Sequence, residues 1–182
     1  GKMGSRGLKK APSRFFDGFH HPMEPNFQFF PGKPHFSLCE SRISPVENYF
    51  QMDFTPKAVN GLSNLALAHL GDGVFSLLCR AYLCKKGDKS VKRLHLDSIA
   101  LVKAPTQAAF AEKILPSLTE AEADYYRRGK NAHTHAAPKS ASPREYAMAT
   151  GLECLFGALY LLGENDRINE LFNLGMEALY GI

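Results

Sequence analysis

From residue 55 onward, apolar positions recur every three or four residues, and short clusters of Gly, Pro, Ser and Asn interrupt them. In "FTPKAVNGLSNLALAHLGDGVFSLLCRAYLCKKG", Thr55 is placed to cap a helix, Pro56 suits its first turn and Gly87 its end. Leu62, Leu65, Leu70, Val74, Leu77, Leu78 and Ala81 fall on one face of that helix, and Leu67, Phe75 and Tyr82 widen it beyond a surface stripe. Ser90 opens a shorter helix, "VKRLHLDSIALVK", and Pro105 begins another, "PTQAAFAEKIL", which Pro116 ends. "TEAE", Thr119 to Glu122, is a capping box for a helix that runs to "YYRRGK". After the loop "GKNAHTHAAPKSA", Ser142, Pro143 and Glu145 use the same device to start "SPREYAMATGLECLFGALYLLG". Gly163 and Asn165 then break the chain before a last amphipathic helix, "DRINELFNLGMEALY". No stretch alternates as a strand does and no repeat is present, so the pattern predicts an all-α helical bundle.

Residues 1–51 carry no such period. They are rich in Pro, Gly and Phe and read as an irregular arm ahead of a domain spanning 52–182, with Met52 a natural first residue. "ENYFQM" within it resembles a protease-cleavage scar lacking one residue.

Composition narrows the class without naming a function. At 182 residues, 45% hydrophobic and 22% charged, the chain has the make-up of one soluble globular domain. No apolar run approaches the roughly 20 residues that cross a bilayer, which argues against a membrane partner, and no apolar h-region follows the basic N-terminus. Cys39, Cys79, Cys84 and Cys154 form no CxxC pair; the last three sit in apolar helical contexts and read as reduced core thiols of a cytoplasmic protein. The net charge of +4 is mild, so its distribution matters more than its size.

Two acids stand out against this background. Glu153 is the one acidic residue between Thr150 and Gly163, and Asp72 the one between Leu62 and Cys84. A carboxylate buried without a partner costs several kcal/mol, so it neutralises, finds a cation or binds a metal. Gly71 and Gly73 flank Asp72, and Gly151 and Gly157 lie near Glu153; small flanks let another backbone, a metal or a phosphate approach. Two readings follow from position alone. Each acid pairs with a cation such as Arg80 or reaches solvent, or the two share one hard cation such as Mg²⁺.

"NLALAHLGDGVF" and "TGLECLFGALYLL", with "RRGKNAHTHAAPK" between them, resemble the ribonuclease III catalytic domain, and more narrowly Mini-ribonuclease III, the bacterial form without a double-stranded-RNA-binding domain. The similarity runs from about Met52 to the C-terminus and includes Leu94–His95 and the Gln107 that follows "KAPT"; residues 1–51 do not read as a separate RNA-binding domain. The resemblance implies a homodimeric endoribonuclease that cuts one strand of double-stranded RNA per subunit, with Asp72 and Glu153 as catalytic residues and Mg²⁺ ligands. It implies water attack on the phosphodiester, leaving 5′-phosphate and 3′-hydroxyl ends, and maturation of the 23S ribosomal RNA precursor. It also associates the family with a large-subunit ribosomal protein, which these residues do not themselves encode. Two further acids of full-length ribonuclease III are replaced here by Ala68 and Thr150, which leaves a two-carboxylate site. Thr150 offers a hydroxyl able to hold a metal-bound water.

Arg127, Arg128, Lys130, Lys139 and Arg144 lie between Tyr125 and Arg144 with no acid among them. A solvated loop is the bland account, but an exposed cationic loop beside a metal site is placed to meet a polyanion. The family likeness assigns duplex contact to this loop, making Arg127, Arg128, Lys130, Asn131 and Lys139 the RNA-binding candidates. Lys103 and Gln107 are weaker ones. His133 and His135 lack the further ligands of a zinc site, so solvent exposure or phosphate contact when protonated accounts for them better. His95, among apolar neighbours, reads as a structural histidine supporting the fold. A non-catalytic RNA-binding or ribosome-assembly factor on the same fold is the main alternative, kept open by Ala68 and Thr150. A helical adaptor with salt-bridged acids is the second.

Overall fold

Thr55 accepts a hydrogen bond from the Ala58 amide and opens α1 (Pro56–Asn60), but the helix stops at Gly61, and the Ser63 hydroxyl caps a new one, α2 (Asn64–Lys85). The single helix predicted from Thr55 to Gly87 is therefore two. The apolar pattern carries across Leu62 and Leu65, whereas the backbone breaks at Gly61 because Ser63 binds the Ala66 amide at 3.1 Å instead of continuing the first helix. The computed structural model describes residues 47–132 and 141–181, and every regular element among them is helical.

Most other starts lie where the caps predict. Ser90 opens α3 (Val91–Val102), accepting from the Arg93 amide. Next, α4 (Ala104–Ile114) passes into a 3₁₀ turn, Leu115–Ser117, that contains Pro116. Both predicted capping boxes form. Glu122 accepts from the Thr119 amide at 2.8 Å to start α5 (Glu120–Lys130), and Glu145 accepts from the Ser142 amide at 2.8 Å to start α6 (Pro143–Leu161). Gly163, at φ +76°, turns the chain into α7 (Asn165–Tyr180).

Helix α6 is the axis of the domain. Between Met148 and Leu161 only Glu153 and Tyr160 escape full burial, because α2, α4, α5 and α7 all pack on it. Four of these helices contribute one ring each to an aromatic centre. Phe75 meets Phe110, Phe156 and Phe172 edge-on, at centroid distances of 5.1, 5.7 and 5.8 Å. At the rim, Arg167 of α7 binds Glu122 of α5 at 2.8 Å and donates to the Ser117 carbonyl at 2.7 Å. That guanidinium holds the Glu122 carboxyl below the usual range.

The buried face of α2 is only partly the predicted one: Leu67 and Phe75 are in the core, but most of the other leucines are not. Leu67, Gly71, Phe75, Cys79 and Leu83, each four residues from the last, face the core. Leu62, Leu65, Leu77 and Ala81 are exposed, while Leu70, Val74 and Leu78 are half-buried. Small residues explain the shift, since they allow α2 to lie against α6 backbone to backbone. A Cβ on Gly71 would sit 1.7 Å from the Glu153 carbonyl oxygen, and one on Gly157 would sit 2.0 Å from that of Leu67. On the other side of α6, a Cβ on Gly129 would lie 2.3 Å from the Cys154 Cβ. The thiols of Cys79 and Cys154 are buried and free, and burial pushes them up to about 12 and about 11, so neither forms a thiolate readily. Cys84, read as a core thiol, is exposed. No helix among the described residues is long and apolar enough to cross a membrane.

Two glycines of this chain should respond oppositely to alanine. Gly157→Ala overpacks the seam and should lower unfolding free energy by about 1–3 kcal/mol. Gly73→Ala, with nothing within 4 Å of its Cβ position, should raise it by up to about 1 kcal/mol through helix propensity. Urea denaturation of the two variants beside the parent measures both; equal effects would refute the seam.

Candidate active site

The Gly71–Gly157 seam determines which polar side chains meet. Asp72 follows the glycine that rests on the Glu153 carbonyl, so the two acids predicted from sequence come together across α2 and α6. Asp72 is exposed and Glu153 half-buried, which leaves the pair open to solvent on one side. Neither makes an ion pair or a hydrogen bond with a cation among the described residues, and Arg80, the partner considered for them, is exposed and bridges neither. Burial, with the negative charge of Asp72 adding to it, raises the Glu153 carboxyl to about 7. This is the electrostatic state of two neighbouring carboxylates with no counter-ion among the described residues.

Gln107, on α4, is the third polar group here. It is 1% exposed, and its amide lies near enough to Glu153 to favour the charged carboxylate, though more weakly than burial and Asp72 oppose it. Its Nε2 reaches no acceptor at full hydrogen-bond geometry. Thr150, one turn before Glu153, is buried and donates its hydroxyl proton to the Tyr146 carbonyl at 3.0 Å, so only its lone pairs remain for a water. Ala68 is buried one turn before Asp72. No group of three or more His, Cys, Asp and Glu able to hold a metal occurs among the described residues, so the donors the site could offer a cation are its two carboxylates. That donor set suits Mg²⁺, which retains several waters.

The basic candidates divide. Arg127 is exposed at the end of α5, where it pairs with Asp124, and Lys130 and Asn131 are exposed beside it. Arg128 turns inward instead. Its Nη2 donates to Asn60 Oδ1 at 2.9 Å, its Nε stands 3.0 Å from Asp124 without hydrogen-bond alignment, and its guanidinium lies 4.6 Å over the Tyr125 ring. Asn64 also donates to the Arg128 carbonyl, so Arg128 ties α5 to α1 and α2. This tether, through Asn60 and Asn64, left no sequence signal beyond two unremarkable asparagines. Lys139, His133 and His135 lie outside the described residues. His95 is exposed on α3 rather than packed among apolar side chains, because Leu101 is the residue that α3 buries, and Lys103 is exposed too.

A Ribonuclease III domain profile matches residues 65–164, which include both acids and Gln107. The chain belongs to the ribonuclease III family. Within that family it groups with the Mini-ribonuclease 3 proteins. That of Symbiobacterium thermophilum is 46% identical over 110 residues, 60% of this chain and 85% of the relative. That of Synechocystis is 42% identical over 138 residues, 75% of this chain and 88% of the relative. The crystal structure of a Fusobacterium nucleatum protein superposes with a TM-score of 0.58 at 34% identity, covering 64% of this chain and 89% of that one.

The raised Glu153 carboxyl makes stability fall with pH. An unfolded glutamate titrates near 4.5, whereas the folded one holds its proton to about 7. Between those values the folded state binds more protons, so stability declines as pH rises through the window and the loss is complete above it. In metal-free buffer this decline should amount to on the order of 2–3 kcal/mol. Glu153→Gln should flatten it and be the more stable protein at high pH. Urea denaturation with a chelator across the window measures both, and a parent whose stability rises there contradicts the facing-carboxylate geometry.

Proposed function

We propose that Asp72 and Glu153 hold Mg²⁺ and that the site hydrolyses phosphodiesters of the 23S ribosomal RNA precursor in the cytoplasm. The chain is a ribonuclease III-type, double-strand-specific endoribonuclease; the metal, the precursor and the compartment go beyond that. The observation that carries the metal is the pair of facing acids without a cation, one of them raised to about 7 by burial and the other's charge. A divalent ion bound there supplies Lewis-acid stabilisation of charge on a phosphoryl oxygen and acidifies water. The chain's own residues do the rest. Helix packing fixes the two carboxylates relative to each other, and the open space at Gly73 lets an RNA backbone approach from the exposed Asp72 side. The ribosomal precursor is what the resemblance to Mini-ribonuclease III implies, and the relatives' names go no further than a ribonuclease.

Duplex RNA is read by shape, phosphate and 2′-hydroxyl rather than by base edges. Arg127, Lys130 and Asn131, exposed at the end of α5, are the described residues best placed for phosphate, while Arg128 acts by holding the helix that carries them. Helices α2 and α3 leave Leu65 44%, Leu77 55%, Leu96 52% and Ile99 48% exposed. Apolar groups so uncovered are what a partner buries, and a second copy of the chain is the partner in this reading.

Asp72→Asn and Glu153→Gln should each slow cleavage of a 23S precursor stem in Mg²⁺ by about 100-fold or more while duplex binding persists, since a ligand matters at least as much as its outer-shell support. Cutting at the parental rate sinks the acid assignment; a parent that cuts other duplexes but spares the precursor stem sinks the substrate. Replacing Arg127 and Lys130 by Ala should weaken duplex binding and reduce the salt slope by about 0.7–0.9 per lost phosphate contact. Arg128→Ala should instead show its main effect as a lowered melting temperature. Leu77→Glu should shift a sedimenting dimer to monomer, and a parent that sediments as monomer removes the second copy.

A further inference from the structure

Gln107 is an anomaly for a core residue. It is 1% exposed and among the largest fully buried side chains, yet its amide nitrogen completes no hydrogen bond. A buried amide left unpaired destabilises a fold, and Met or Leu would fill the same volume without that loss. We infer that Gln107 is a positioning residue, which orients the Glu153 carboxylate for a divalent cation. This rests on the metal reading above and names a residue that carries part of it without touching RNA.

Three features support the assignment. The Gly71 and Gly157 contacts pin the α6 backbone at Glu153, so the carboxyl's own rotation is the freedom left to control. Gln107 lies on α4, a helix outside the α2–α6 seam, with its buried amide beside that carboxyl. Thr150, the other nearby polar side chain of α6, has already given its proton to Tyr146. The residue type fits the task as well. A Lys or Arg would stabilise the carboxylate but compete with the incoming cation for it, whereas a carboxamide donates without carrying charge. With Glu153 ionised to hold a cation, its carboxylate would offer Nε2 the acceptor that it lacks. Supports of this kind orient ligands and sharpen metal affinity.

The test is Mn²⁺ binding to the full chain, measured as free Mn²⁺ by electron paramagnetic resonance. Q107M should melt no lower than the parent, because an unpaired amide has been removed, yet bind Mn²⁺ about 10-fold or more weakly. D72N, run alongside, should lose Mn²⁺ binding altogether. A folded Q107M with parental affinity overturns this inference and leaves the metal reading intact; a parent that binds no Mn²⁺ overturns both. A measurement on the parent needs no variant to fold. The Gln107 carboxamide proton signals should shift in step with Mg²⁺ occupancy, and signals unmoved at saturation refute the role.

Discussion

At Gly71 and Gly157 two helices touch through their backbones, with no room for a methyl group between either glycine and the opposing carbonyl. Side-chain packing tolerates slippage that this contact does not, since a shift along either axis drives a Cβ or a carbonyl into main chain. The register of α2 on α6 is thereby set by steric exclusion. Asp72 and Glu153 meet because each neighbours a point of that contact, so the placement of the pair follows from the absence of two side chains.

The core around this seam resolves its polar groups almost everywhere. Capping boxes satisfy the first amides of α5 and α6, and Arg167 neutralises Glu122 where it is nearly buried. Among the described residues, Tyr126 Oη, Arg128 Nε and Gln107 Nε2 stay unpaired, and only at the last does an orphaned amide adjoin two neighbouring acids. A fold optimised for stability alone would not keep that arrangement, and conflict of this kind concentrates where a protein acts on something else.

Much of the architecture could be read from the chain because helix boundaries are local. Ser63 apart, the caps at Thr55, Ser90, Thr119 and Ser142 were visible as side chains placed to meet amides three residues on. What could not be read was that the inward line of α2, beyond Leu67 and Phe75, runs through its small residues. Large leucines dominate a hydrophobicity pattern, whereas the core line runs through Gly71 and Cys79, whose value lies in being small. The same limit applies at Arg127 and Arg128. They are adjacent and alike in sequence, but the turn of the helix sends one outward and the other onto Asn60 and Tyr125. The meeting of the two acids was legible only through family likeness, because position alone left Arg80 as an equal partner for either.

The capping box at Ser142 has a consequence for how such a protein can change over evolutionary time. It closes the start of α6 with two reciprocal hydrogen bonds made wholly within residues 142–145. On the far side, α5 ends in its own backbone bonds from Asn131 to Arg127. The described ends on either side of residues 133–140 are thus closed by bonds of their own. Glu153, about three helical turns beyond Ser142, takes its place from α6 and the seam. Length and composition ahead of that cap can diverge among descendants while the spacing from Ser142 to the acid is inherited.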